Sequence, residues 1–284
     1  MIQVKNLDFS YPGASTQALS QLNFEIQKGD IFGFLGPSGS GKSTTQKILY
    51  RWLKGYSGEI KIGGKLLEAW DNSYYERIGV SFELPNHYEK LTGLENLQFF
   101  GGFYSKKVDA MYWLKKVGLE NAAKKPVSDY SKGMRMRLNF IRALIHDPDI
   151  LFLDEPTSGL DPGYAAILKD IILECKAAGK TIFLTTHNMQ DANELCDQVA
   201  FLTEGKIQAL DSPDNFRHQY GKAIVKLEVR GASGLESFEF EQSGLANNPD
   251  FLAALEKPMV SLHSGEASLE DVFIQVTGKQ LKID

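Results

Sequence analysis

The chain has 284 residues, 43% of them hydrophobic and 24% charged, with a formal net charge of -5 at pH 7. That length holds one large domain, or one domain of common size with a small appendix, and the composition excludes a disordered chain. The mild acidity excludes a global pull toward nucleic acid or an anionic membrane surface, although local basic patches remain compatible with it.

The only cysteines are Cys175 and Cys196, too few for a disulfide framework. Both sit in apolar helical patterns and read as buried free thiols in a reducing compartment. No apolar run approaches the roughly 20 residues that span a bilayer. Met1 to Tyr11 alternates polar and apolar residues without the apolar core of a signal peptide. The expected location is therefore the cytoplasm.

Two strand patterns open the chain, Ile2 to Phe9 and Leu22 to Ile26, with a turn-rich stretch containing Tyr11-Pro12-Gly13 between them. Ile31 to Leu35 is an apolar run leading into a glycine-rich loop. A helix is predicted from Ser43 to Leu53, closed by Lys54-Gly55, and Glu59 to Ile62 and Ile78 to Phe82 read as strands. Residues 85–147 have helical periodicity and many aromatics, which predicts a helical insertion. Ile150 to Leu153 is continuously apolar, as in a strand buried on both faces of a parallel sheet. Asp161 as N-cap and Pro162 at the first position open a helix that buries Ile167, Leu168, Ile171, Ile172 and Cys175 and ends at Gly179. Thr181 to Thr185 is the next strand, completing a βαβ unit. A further helix is expected to place Met189, Ala192, Leu195, Cys196 and Val199 on one face. Near Gly221 the character changes. Ala223, Val225, Leu227 and Val229 alternate as on a half-buried strand, and Ser268 to Asp271 forms a capping box before Leu269, Val272, Phe273 and Val276.

The loop Gly36-Pro37-Ser38-Gly39-Ser40-Gly41-Lys42-Ser43 matches G-x-x-x-x-G-K-[ST] between a strand and a helix. Its glycines let backbone N–H groups turn inward around phosphate oxygens, and the helix N-terminus adds partial positive charge. Lys42 reaches toward terminal phosphates, and the Ser43 hydroxyl suits Mg²⁺. The plain alternative is a flexible glycine loop, against which the strand–loop–helix context argues. The second signal is Ile150-Leu151-Phe152-Leu153-Asp154-Glu155, a buried strand ending in two carboxylates. Asp154 suits a Mg²⁺ ligand, directly or through water, and Glu155 can orient or deprotonate an attacking water. Alone such a run only marks a strand end; beside a phosphate loop it points to nucleotide hydrolysis.

With these residues the chain resembles the ATP-binding cassette (ABC) ATPases. Pro156-Thr157-Ser158-Gly159-Leu160-Asp161-Pro162 matches the loop after the two carboxylates, and His187 the histidine after the next strand. Tyr130-Ser131-Lys132-Gly133-Met134-Arg135-Met136-Arg137 matches the signature helix, and Tyr11 the aromatic that stacks on adenine. The resemblance covers residues 1–221. It implies a P-loop α/β core with an antiparallel β arm and a helical subdomain, then a small C-terminal α/β appendix over 222–284. It implies ATP and Mg²⁺ as cofactors. ATP would be held by Tyr11, the loop from Gly36 to Ser43, Thr44, and Ser131, Gly133 and Asp161 across a subunit interface. Mg²⁺ would lie on Ser43, Asp154 and Glu83, and the catalytic pair would be Glu155 and His187. Ser131 and Asp161 also read as plain helix N-caps, His187 as a structural histidine and Tyr11 as a turn tyrosine.

Two departures stand out. Lys132 replaces the first glycine of the usual Leu-Ser-Gly-Gly-Gln, and Glu83 replaces the usual Q-loop glutamine. The ending Ser268-Leu269-Glu270-Asp271-Val272-Phe273, with Thr277-Gly278, resembles that of bacterial drug- and antibiotic-type exporters. The resemblance therefore implies a transmembrane permease subunit and a second ATP-binding subunit, a copy or close paralogue, at the inner face of the cell membrane. The permease is expected to dock around Leu84 to Thr92 and Phe99, Phe100, Phe103 and Tyr104, aromatics that equally suit the core of the helical subdomain. The alternative is a non-transport ABC ATPase acting on nucleic acid or the ribosome. No nucleic acid is expected, because such proteins usually carry long coiled-coil insertions, zinc-binding cysteine clusters or two cassettes in one chain, and this sequence has none of these.

Overall fold

The computed structural model describes residues 1–106, 109–220, 224–231, 234–265 and 268–279. It forms two compact units, one over Met1–Leu210 and one beginning at Asp211. The boundary expected between 221 and 222, and Ala223, lie outside the described residues.

In chain order the first unit runs β1 (Ile2–Phe9), β2 (Leu19–Ile26), β3 (Ile31–Leu35), α1 (Lys42–Leu49), β4 (Ser57–Ile62), β5 (Lys65–Leu66), α2 (Ser73–Arg77), β6 (Ile78–Ser81) and α3 (Gly93–Gly101). It continues with α4 (Ala110–Lys116), α5 (Lys132–Arg142), β7 (Ile150–Asp154), α6 (Pro162–Ala177), β8 (Thr181–Thr186), α7 (Met189–Leu195), β9 (Gln198–Thr203) and β10 (Lys206–Asp211). An antiparallel sheet has the order β2-β1-β4-β5, and a six-stranded sheet has the order β10-β9-β3-β8-β7-β6. In the latter β9, β3, β8, β7 and β6 are all parallel. Parallel strands are buried on both faces, and every residue of β3 and β8 is buried. Phe24 of the antiparallel sheet meets Phe32, Phe34 and Phe183 of the six-stranded one, with ring centroids 5.3, 5.1 and 6.1 Å away. That aromatic cluster joins the two sheets.

The consequence for function is topological. The carboxyl ends of β3, β7 and β8 lie side by side, with Leu35 opposite Thr186 and Asp154 opposite Thr185. Open parallel sheets place ligands at such ends, and here the glycine loop, Glu155 and His187 follow these three strands.

Between β6 and β7 stand α3, α4 and α5, each opened by a side-chain cap: Thr92 in a capping box with Glu95, Asp109, and Ser131. Arg137 is buried, with its guanidinium 3.4 Å from the centre of the Tyr164 ring, which ties α5 to α6.

Two local expectations are corrected. The helix after the glycine loop stops at Leu49 rather than Leu53, because Tyr50 leaves helical geometry and Arg51 turns to φ 64°. Val199 lies in β9 rather than on α7, since Cys196 is already extended. Cys175 and Cys196 are free and buried, as expected.

The second unit contains α8 (Pro213–Tyr220), β11 (Ile224–Gly231), β12 (Gly234–Glu241), α9 (Pro249–Leu255), β13 (Met259–Gly265) and α10 (Leu269–Thr277). Its antiparallel sheet has the order β12-β11-β13. Val225, Leu227 and Val229 pack with Phe251 and Ala254 as its core. Ser268 and Asp271 cap α10 reciprocally, as the sequence predicts. Among the described residues no helix is long and apolar enough to cross a membrane.

Candidate functional site

The glycine loop is wound too tightly for side chains. A Cβ on Gly36 would lie 2.1 Å from the Leu202 carbonyl oxygen, and Gly41 takes φ 110° with Leu19 only 2.6 Å from where a Cβ would stand. Inside this winding Lys42 is buried, and its ammonium donates to the carbonyl oxygens of Gly36 (2.6 Å) and Pro37 (3.1 Å). Burial pushes the Lys42 pKa down, while Glu155, Asp154 and Glu83 pull it back up. The Ser40 hydroxyl is buried and has no hydrogen-bond partner among the described residues. A buried unpaired hydroxyl is costly, so the loop holds a polar atom and a cation that phosphate oxygens would satisfy.

Asp154 closes the near side of the site. Ser43 Oγ donates to its Oδ1 at 3.3 Å, and Thr185 Oγ1 donates to the same oxygen. Gln46, buried on α1, donates to the carbonyls of Leu153 (3.1 Å) and Phe183 (3.4 Å), so one side chain links β7 to β8.

Glu155 is 8% exposed and sits at φ 49°, in the left-handed region. Its N–H donates to the Thr185 carbonyl at 3.1 Å, and its Oε2 lies 2.9 Å from His187 Nδ1. Burial raises its pKa, and His187 and Lys42 oppose that rise. A carboxylate with raised proton affinity, next to an imidazole and a phosphate loop, has the character of a general base.

Tyr11 stands at the rim, edge-on to Phe9 at 5.0 Å, with its hydroxyl 3.0 Å from Thr44 Oγ1. Glu83 is exposed and shares the wall of a cleft of about 1170 Å³ with Ser43, Asp154 and Trp52. Among the described residues no three His, Cys, Asp or Glu side chains group as a complete metal cage. Ser43, Asp154 and Glu83 are hard oxygen donors, the chemistry of a Mg²⁺ completed by phosphate and water.

Ser131, Gly133 and Asp161 form a second group and do not line that cleft. Ser131 Oγ accepts from the Met134 N–H and Asp161 Oδ1 from the Tyr164 N–H, both at 3.2 Å, so each is an N-cap. The two helix starts adjoin: a Cβ on Gly133 would stand 3.6 Å from Leu160, and one on Gly159 3.4 Å from Lys132 Nζ. Of the aromatics expected to receive a partner, Tyr88, Phe99 and Phe103 are exposed with Leu84. Phe100 lies under Arg142 at 4.7 Å and Tyr104 stacks on His146 at 3.7 Å, and both are half-buried.

Sequence reasoning did not find Gln46, Thr157, Thr185 or Asp191. Their hydrogen bonds reach far along the chain, and only the acid of Asp191 on the otherwise apolar inner face of α7 offered a signal.

The sequence matches the ABC transporter family over residues 19–158. A fluoroquinolones export ATP-binding protein of Mycobacterium tuberculosis (strain CDC 1551 / Oshkosh) is 53% identical, with 99% of this chain and 94% of that protein covered. This chain belongs to the ABC transporter ATP-binding proteins. This ABC ATPase is also 32% identical to a Nod factor export ATP-binding protein of Ralstonia nicotianae, covering 92% of this chain and 89% of that one. Its fold matches a dimeric ATP-binding cassette in a post-hydrolysis state bound to ADP and Pi, with TM-score 0.69 and 27% identity over 75% of this chain and 98% of that one. The ABC protein thus binds and hydrolyses ATP.

Proposed function

We propose that this ABC ATPase drives an exporter, docked on a transmembrane permease at the inner face of the cell membrane and paired with a second ATP-binding subunit. The observation that carries the hydrolytic part is the buried Glu155 held 2.9 Å from His187, one residue beyond Asp154. Export is supported by relatives named for it that match nearly the whole chain, the C-terminal unit included. The fluoroquinolones of the first relative's name are the first cargo to test.

In this reading Lys42 exchanges its two carbonyl partners for phosphate oxygens, Ser40 gains the partner it lacks, and Tyr11 stacks on the adenine. Ser43, Asp154 and Glu83 would hold Mg²⁺, which would supply neutralising positive charge to the phosphates. Glu155 takes the proton of the attacking water, and His187 fixes that carboxylate and faces the γ-phosphate. Ser131, Gly133 and Asp161 serve the nucleotide of the opposite subunit, where the start of α5 adds its dipole. Closure of the two subunits moves the permease, and hydrolysis resets it. Action on nucleic acid is disfavoured by the net charge of -5.

The test is ATP-dependent uptake of a fluoroquinolone into inside-out vesicles that hold this chain with a membrane protein co-purified with it. Uptake abolished by Lys42→Ala supports the reading. ATP turnover indifferent to every co-purified membrane protein, with no uptake, overturns it.

A further inference from the structure

Glu155 occupies a backbone conformation that non-glycine residues avoid, at φ 49°, and such strain persists only where the surroundings over-determine it. A closed ring of side chains does this. From Glu155 the ring passes to His187 at 2.9 Å. His187 precedes Asn188, whose side chain caps α7 by accepting from the N–H groups of Gln190 and Asp191. Asp191, one turn along that helix, is 5% exposed. Its Oδ2 accepts from Thr157 Oγ1 at 2.5 Å, and Thr157 lies two residues beyond Glu155. The ring is therefore Glu155, His187, the first turn of α7, Asp191, Thr157 and back to Glu155.

Lys169 braces it. From α6 its ammonium lies 3.3 Å from Asp191 Oδ1 and 2.5 Å from Glu194 Oε2. A buried carboxylate that loses a partner is costly, so Asp191 keeps both Thr157 and Lys169. The loop after β7 and the helix after β8 are thereby locked in one relative position.

We propose that the Asp191–Thr157 bond, braced by Lys169, aims the Glu155 carboxylate at the attacking water, which makes Asp191 and Thr157 positioning residues for ATP hydrolysis. The proposal rests on the reading of Glu155 as general base. Thr157 and Asp191 share the wall of a cleft with Glu155 and His187, and their effect passes through Glu155 and falls on the chemical step rather than on binding.

The experiment compares Thr157→Val, Thr157→Ser and Asp191→Asn in the full chain, each alone and the valine variant also with Glu155→Gln. Steady-state MgATP hydrolysis gives kcat and KM, and thermal melting gives folding. Thr157→Val should lower kcat by about 10- to 100-fold, the scale of a small misplacement of a catalytic group, while KM stays within about twofold of wild type. Thr157→Ser restores the hydroxyl and should recover most of kcat. Asp191→Asn keeps an acceptor oxygen but loses the charge facing Lys169, and should fall between them. In the Glu155→Gln background Thr157→Val should cost little more, because residues acting as one unit are not additive. A brace without catalytic role would lower the melting midpoint and leave kcat of the folded protein unchanged. Normal kcat in Thr157→Val, no rescue by serine, or full additivity with Glu155→Gln each overturns the positioning role. Normal turnover in Glu155→Gln alone instead overturns the general-base reading.

Discussion

The six-stranded sheet of the first unit and the three-stranded sheet of the second are built on opposite terms. In β7 the residues Ile150, Leu151, Phe152 and Leu153 are all 0% exposed, because layers cover both faces of the six-stranded sheet. In β11 the buried Val225, Leu227 and Val229 alternate with polar neighbours, and Lys226 reaches across the open face to Glu239 at 2.8 Å. A strand covered on both sides has no freedom to slide or tilt, so polar groups placed just beyond its end hold their positions. The three-stranded sheet gives no such guarantee, and its open face is spent on solvated ion pairs. The difference teaches why the chemistry gathers at the ends of β3, β7 and β8.

The comparison breaks if the rigid end of β7 turns out to be dispensable. Glu155→Gln should cut turnover by roughly 10²–10⁴-fold, as expected for a lost general base, while ATP still binds. The same variant should accumulate an ATP-bound dimer, visible by size-exclusion chromatography with MgATP; a monomer that binds ATP would contradict the paired arrangement. The aromatic layer that fixes the strands is tested by Phe183→Ala. Phe183 is 0% exposed and meets Phe34 at 5.0 Å. Its truncation should cost about 3–5 kcal/mol in denaturant unfolding of the first unit.

Glu83 sharpens the picture, because it lies at a strand end yet remains exposed. As a Mg²⁺ ligand, Glu83→Gln keeps an oxygen and should weaken Mg²⁺ dependence mildly, whereas Glu83→Ala should cost more, above all in permease-stimulated activity. Mg²⁺ titrations of ATPase activity that are the same for both variants and wild type would make it an ordinary surface acid. The smallest effect belongs to the open sheet. Lys226→Ala should leave both the melting midpoint and ATP turnover unchanged, since exposed ion pairs contribute little.

Much of this was legible in the sequence wherever the cause was local. The run Ile150 to Leu153 announces a doubly covered strand, Asp161-Pro162 a helix start, and Gly36 to Ser43 a tight glycine loop between a strand and a helix. The end of α1 was not legible, since nothing near Leu49 marks the left-handed turn at Arg51. Val199 was misread because its spacing from Cys196 suits a helix face as well as a strand following α7. Thr157 and Asp191 escaped for a different reason. They are 34 positions apart and meet only because β7 and β8 are neighbours.

Trp52 carries a practical consequence of the cleft beside Ser43 and Asp154. It is 64% exposed and stands edge-on to Phe82 at 5.9 Å, whereas Trp70 and Trp113, the other two indoles, are half-buried. Indole emission moves to shorter wavelength when water leaves the ring. A molecule that seats itself over Trp52 in that cleft should therefore change the colour of the protein's own fluorescence, and its arrival can be timed in a stopped-flow instrument without any attached dye.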